Sequence, residues 1–317
     1  MKKNILTTLC LSATMLTAYS QDIAKVAAVK DTSYWKKASS FALNYNSGSF
    51  SNNWAGGGVN SVAFGVILNS KGDYEKGAIT WTNDFQFQYG TLWNKAQGDW
   101  RKSIDRLFFD SKVGRKINSK WNFFGSINFL SQVAVGYKFD KADQKLANGQ
   151  TVKVETVDLV SNLFAPAYIT EAVGFEYKPD KFFSLQIAPL AMRQTIVADK
   201  NLYKTFPLNY GLKPGNTFRN DLGVMQVVAN YDKDVTKDVN LKARYQFFTS
   251  YPTAAIKETD PQAKLFGSSM NRLDAQLTAK VAKYFNVNLG LIGLYDQTQS
   301  FDVQIAQSIG VGFLYKW

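Results

Sequence analysis

The side chains in this 317-residue sequence whose types could do chemistry together are Asp84, Asp110 and Asp274, set against Arg106, Arg244 and Arg272. Paired carboxylates can divide acid and base roles between them, and arginines beside carboxylates form planar, bidentate ion pairs. No spacing in the chain brings two of these aspartates together, so an interior held by Asp–Arg pairs is the plainer expectation. Much other chemistry is excluded. The chain contains no histidine, which removes the general base of the common serine and cysteine hydrolases and the commonest metal ligand. Its single cysteine, Cys10, lies in the N-terminal apolar segment, so the remainder offers no thiolate, disulfide or cysteine metal site. Gly56, Gly57 and Gly58 form a glycine run without the Gly-Lys-Ser/Thr ending of a nucleotide loop, and they fit an external loop. No enzymatic activity, cofactor or metal is expected.

The elements that must position the charged residues are strands. From 78 to 90, Ile79, Trp81, Asn83, Phe85, Phe87 and Tyr89 alternate with Thr80, Thr82, Asp84, Gln86 and Gln88. The stretches 121–137, 241–249 and 272–281 alternate in the same way, a period of two that marks strands with unlike faces. Weaker patterns cover 39–50, 59–69, 103–116, 168–177, 182–198, 221–231, 285–295 and 304–317. Between 168 and 177 either register leaves Glu171 or Glu176 badly placed. Most of these lengths meet the ~9–11 residues a tilted strand needs to cross a bilayer. Beyond the first loop, connections alternate between short turns and long loops, the last of them short. The expected fold is therefore all-β: an antiparallel, up-and-down transmembrane barrel of about twelve strands, with ten to fourteen allowed. The stretch 139–167 is the main uncertainty in that number, since it suits a constriction in the mouth, a hairpin above the membrane, or two further strands.

Composition agrees. Aromatics make up 15% of the chain, and no segment after Leu16 resembles a transmembrane helix. Lipid admits only helices and edgeless barrels. Trp54, Trp81, Tyr89, Trp93, Trp100, Trp121, Tyr137, Tyr177, Tyr245, Tyr251, Tyr295 and Trp317 are expected near strand ends, as interfacial girdles. Residues 1–20 read as a signal peptide, from Lys2 and Lys3, an apolar run and the small residues Ala18 and Ser20. Residues 21–38 read as a periplasmic lead-in and 39–317 as the barrel. Phe313, Tyr315 and Trp317 resemble the C-terminal signal read by the barrel-assembly machinery.

The inward faces then carry the candidate site. Expected lumen-lining residues are Asp84, Gln86, Gln88, Arg106, Asp110, Lys112, Asn128, Gln132, Lys242, Arg244, Gln246, Arg272, Asp274, Gln276 and Lys280. Six of these are cations and three are anions, and that excess would favour anion passage. The formal charge of +12 suits contact with outer-membrane lipids and lipopolysaccharide. The basic residues are scattered, so nucleic acid is not an expected partner.

Several segments carry a resemblance: Ser51-Asn-Asn-Trp-Ala-Gly-Gly-Gly-Val-Asn60, Trp81-Thr-Asn-Asp84 leading to Tyr89-Gly90, Arg101-Lys-Ser-Ile-Asp105 leading to Lys112-Val-Gly114, Ser131-Gln132 leading to Gly136-Tyr137, and Ser161-Asn-Leu-Phe-Ala-Pro-Ala-Tyr168. Together they resemble an uncharacterised outer-membrane barrel family of the Bacteroidota, a domain of unknown function. The resemblance implies architecture and an outer-membrane location, and no reaction. Two functions compete. A passive channel for small, anionic solutes rests on the polar inner faces. A non-conducting structural or docking subunit, with an envelope protein as partner, rests on loops expected to expose Leu202, Tyr203, Phe206 and Tyr210.

Overall fold

A computed structural model describes residues 34–49, 51, 60–95, 98–146, 150–250, 269–296, 298–300 and 302–316. The segment expected to be a signal peptide, the glycine run, Trp54, Tyr251 and Trp317 lie outside the described residues.

Among the described residues, alternation with period two produces fourteen strands: β1 (Trp35–Gly48), β2 (Ser61–Lys76), β3 (Ile79–Asn94), β4 (Trp100–Lys116), β5 (Trp121–Ser131), β6 (Gly136–Lys145), β7 (Thr151–Ser161), β8 (Ala167–Tyr177), β9 (Phe183–Ile196), β10 (Phe218–Thr236), β11 (Val239–Ser250), β12 (Ser269–Lys280), β13 (Phe285–Asp296) and β14 (Gln304–Lys316). Twelve of them close into an antiparallel barrel in the order β1-β14-β13-β12-β11-β10-β9-β8-β5-β4-β3-β2. Strands β6 and β7 form a separate two-stranded hairpin, so 139–167 adds no strand to the ring. β1 begins at Trp35, inside the segment 21–38 expected to be a lead-in. β2 runs on to Lys76, and the β2–β3 turn shrinks to Gly77, whose φ of +59° suits glycine, and Ala78.

β5 ends at Ser131 rather than reaching Tyr137. The buried Asp105 carboxylate accepts the backbone N–H of Val133 at 3.0 Å and of Ala134 at 2.8 Å. Those donors would otherwise serve a ladder, so the strand stops and the chain turns out into the hairpin. Tyr137 consequently sits on β6 and not in a girdle, 6.4 Å from the Phe139 ring.

The outer surface is apolar. Leu43, Phe64, Val113, Phe123, Ile127, Leu190, Leu222, Leu289, Ile305 and Ile309 are all exposed. Aromatic pairs mark its margins. Trp35 lies 5.3 Å from Tyr74 and 5.4 Å from Trp81, and Trp121 lies 5.0 Å from Tyr177. At the other end Phe64 lies 5.3 Å from Tyr45 and 6.0 Å from Trp100. A soluble barrel would not display this surface. An edgeless ring with an apolar outside, girdled by aromatics, is the form in which sheets cross a bilayer. The chain is an outer-membrane β-barrel.

Candidate functional site

Register fixes which side chains face inward. Across β3 and β4, Asp84 pairs with Asp110, Gln86 with Phe108, Gln88 with Arg106 and Thr82 with Lys112. Across β4 and β5, Asp110 pairs with Asn128, and across β11 and β12, Arg244 pairs with Asp274, Gln246 with Arg272 and Lys242 with Gln276. All of these lie on one face of the sheet, and contacts across the ring identify it as the inner one.

The Arg106 Nη1 on β4 lies 3.1 Å from the Asp274 Oδ1 on β12. In the ring these strands have five others between them on either side, so the pair joins opposite walls. Arg272 adds a bidentate contact to the same carboxylate, at 2.7 and 2.8 Å. Asp110 accepts from Asn128 at 3.1 Å and faces the Arg244 Nη2 at 3.9 Å. The buried Phe108 ring lies between the guanidinium groups of Arg106, 4.8 Å away, and Arg244, 5.5 Å away. Asp84 accepts from Gln86 at 3.0 Å. The structure thus brings Asp84 and Asp110 side by side, with Arg244 near one of them. Among the described residues no group of three or more His, Cys, Asp or Glu side chains is placed to hold a metal ion.

Gln132 departs from its expected place. It lies beyond β5, and its Nε2 donates to the carbonyls of Asn162 and Ala165, at 3.2 and 2.9 Å, tying the base of the hairpin. Lys280 shares the inner face at the exposed short-turn end of β12, and Lys242 pairs with Asp232 at 3.2 Å.

Several interior residues escape the sequence pattern. Glu176 turns inward and is bonded by Lys112, by Asn122 and Gln186 at 3.3 Å each, and by Lys178 at 3.2 Å. Glu171 takes the outward face, opposite Ile127. Arg193 pairs with Asp296 at 3.2 Å and lies 4.2 Å from the Tyr168 ring. Arg193 would alternate outward if β9 were regular. Both Ala188 and Ala191 are buried, however, and the register with β8 shifts between Phe175↔Ile187 and Val173↔Leu190. Pro189 sits in that step. It cannot donate to a ladder, and a bulge there shifts the phase by one residue. That proline was the available signal. With these additions, Arg106, Lys112, Arg193, Arg244 and Arg272 face Asp84, Asp110, Glu176, Asp274 and Asp296, five cations against five anions. Charges balance within this belt; of the other two expected cations, Lys242 pairs with Asp232 and Lys280 lies at the short-turn end.

A cap covers part of the long-loop end. Two 3-10 turns, Leu202–Lys204 and Asn209–Gly211, fold between β9 and β10. Leu202 and Tyr210, expected to be exposed, are buried with Ala165, Val197 and Leu212. The Tyr210 hydroxyl donates to the Val160 carbonyl at 2.6 Å, and the Thr205 hydroxyl to that of Leu159 at 2.5 Å. Burial pushes the Tyr210 phenol above its ordinary pKa, which keeps it a donor.

A family model described as a protein of unknown function, DUF3078, matches residues 45–137, less than a third of the chain. No curated protein matches. Solved structures with a similar outline include the translocator domain of the autotransporter NalP from Neisseria meningitidis, at 8% identity, TM-score 0.35, covering 87% of this chain and 86% of that one. OmpT, an outer membrane protein of Vibrio cholerae, has 8% identity and a TM-score of 0.29 over 92% and 100%. Salmonella typhi OmpF has 12% identity and a TM-score of 0.27 over 89% and 97%.

Proposed function

We propose that this chain, taken as a member of the Bacteroidota barrel family it resembles, works as a docking barrel of the outer membrane and not as an open diffusion pore. One observation carries the reading: the Arg106–Asp274 pair joins opposite walls at 3.1 Å. A pore needs a continuous hydrated path, and a direct ion pair across the middle divides the path. The balanced charges of the belt around it give no local drive for anions. Outside the ring, the β6–β7 hairpin exposes Tyr137 and Val157, apolar side chains that suit an envelope protein partner. Lipopolysaccharide contact and handling by the barrel-assembly machinery belong to the same proposal.

Planar-bilayer recording of the purified protein tests it. No steady open-channel conductance is expected from the native chain, and Asp274→Ala should admit current. A steady conductance of the native chain would overturn the reading.

A further inference from the structure

The ring closes on a short seam. β1 and β14 pair only from Ser40↔Lys316 to Asn44↔Gly312. Continued in register, Asn46 would meet Gly310 and Ser47 would meet Ile309, but they do not pair. Both strands carry on regardless. Asn46 and Ser47 are paired to Ala63 and Val62 on β2, and Ile309 and Gly310 to Leu289 and Asn288 on β13. The two strands therefore keep their outer neighbours and lose each other over the half nearer the long loops. In hydrocarbon, backbone groups on such an edge find no water to bond, so an open edge needs an occupant or a water-filled lining.

The inner side of this gap differs from the rest of the interior. Its wall is built from Ala306, Ser308 and Gly310, and the first two are exposed although they face inward. At its foot, Asn44 and Asn286 flank Gly312 on the same face. Asn286 is 2% exposed, and neither its Oδ1 nor its Nδ2 has a hydrogen-bond partner among the described residues. The Oδ1 of Asn44 is also buried without one. A buried amide with both donor and acceptor unused costs free energy until something polar meets it. The gap thus has a lipid-facing opening, a lining of small side chains and a polar floor that both donates and accepts.

We propose that the split half of the β1–β14 seam is a lateral binding site for a single-chain amphiphile with a neutral polar head. The head is held by Asn286 and Asn44, and the hydrocarbon chain runs past Gly310, Ser308 and Ala306 and leaves between the strands toward the leaflet. The neutral amides favour hydroxyl or amide head groups over ions. The chain's bulk takes the space that the small residues leave, and its exit lies beside the apolar Ile305, Ile309 and Tyr45, all exposed. This site depends on the barrel spanning the membrane and is independent of docking. Current through the barrel tests docking, whereas labelling of the seam tests the site.

The experiment uses the full chain in lipid vesicles with a monoacylglycerol carrying a diazirine in its acyl chain. Photolabelled residues are mapped by mass spectrometry. In the native protein, label is expected on Ala306, Ser308 or Asn46. Asn286→Leu should lose that label while keeping the gel mobility of a folded barrel. Asn46→Cys with Gly310→Cys should lose it when oxidised and regain it when reduced. Cys10, the chain's one native cysteine, is replaced by Ser in every form so that no third thiol competes. If Asn286→Leu fails to fold, the oxidised and reduced forms of the cysteine pair still decide. If the disulfide cannot form, Asn286→Leu decides. Label confined to the lipid-facing Ile305 and Ile309 would overturn the proposal. So would label unchanged by both variants, or a disulfide from Asn46→Cys to a second polypeptide, which would mean that a strand occupies the edge.

Discussion

The Arg106–Asp274 bridge separates two unlike halves of one ring. On the side of β5, β8, β9, β10 and β11 the inner face is packed. Phe124, Ala172, Ala188, Ala191, Phe248 and Met270 form a buried cluster, and Glu176 and Arg193 are buried beside it. On the side of β13, β14, β1, β2 and β3 the inner face carries many small residues, among them Gly65, Gly290, Ala306, Ser308 and Gly310, beside the charged Lys71, Asp84 and Asp296. Alternation runs through both sides, interrupted on the packed side by the step at Pro189. The period of two therefore decides that a barrel forms, and inner side-chain volume decides where the barrel is solid. The seam falls in the sparse half, where little from inside holds the strands together.

This contrast gives graded expectations. Phe248→Ala should have the largest effect, about 3–5 kcal/mol of stability, because it opens a cavity in a packed cluster. Urea unfolding in lipid vesicles would measure it. Asp274→Ala should cost about 3 kcal/mol, since it leaves Arg106 and Arg272 without their shared carboxylate in the interior. The same titration applies. A glycine pair compares the halves at constant chemistry. A Cβ at Gly174 would lie 2.2 Å from the Ile187 carbonyl oxygen, whereas one at Gly310 would first meet the Asn44 side chain at 3.3 Å. Gly174→Ala should therefore cost about 1–3 kcal/mol, as overpacking does, and Gly310→Ala should stay within about 0.5 kcal/mol. Equal costs would remove the distinction between the halves. The smallest effect belongs to the cap. Tyr210→Phe should cost about 1 kcal/mol, the net worth of one hydrogen bond, read as faster proteolysis of residues 199–217. Because burial raises the Tyr210 phenol, its contribution is complete below the ordinary tyrosine value of about 10 and is lost as pH climbs above it. The native cap should loosen there, and the Phe variant should loosen less.

Much of the ring was legible in the sequence, because each barrel strand must alternate and strand lengths are bounded by bilayer thickness. The stretches 78–90, 241–249 and 272–281 fall within one to four residues of β3, β11 and β12. What escaped was decided by contacts between distant residues. Asp105 ends β5 through a capture 28 residues away, which no local pattern encodes. Pro189 flips the phase of β9 and draws Arg193 inward. Glu176 turns inward because Lys112, Asn122 and Gln186 meet it there. Asp296 lay one residue beyond the expected end of its strand. Leu202 and Tyr210 looked exposed because loops usually are, yet they fold down onto the hairpin base. The ion pairs were suggested by composition, but their reach across the ring required the order of the strands.

A double-mutant cycle on Arg106→Ala and Asp274→Ala, measured by unfolding from lipid vesicles, asks whether opposite walls touch. A coupling above about 1 kcal/mol is expected for two charged groups in contact. Coupling near zero would mean that the walls stand apart and that the lumen is undivided.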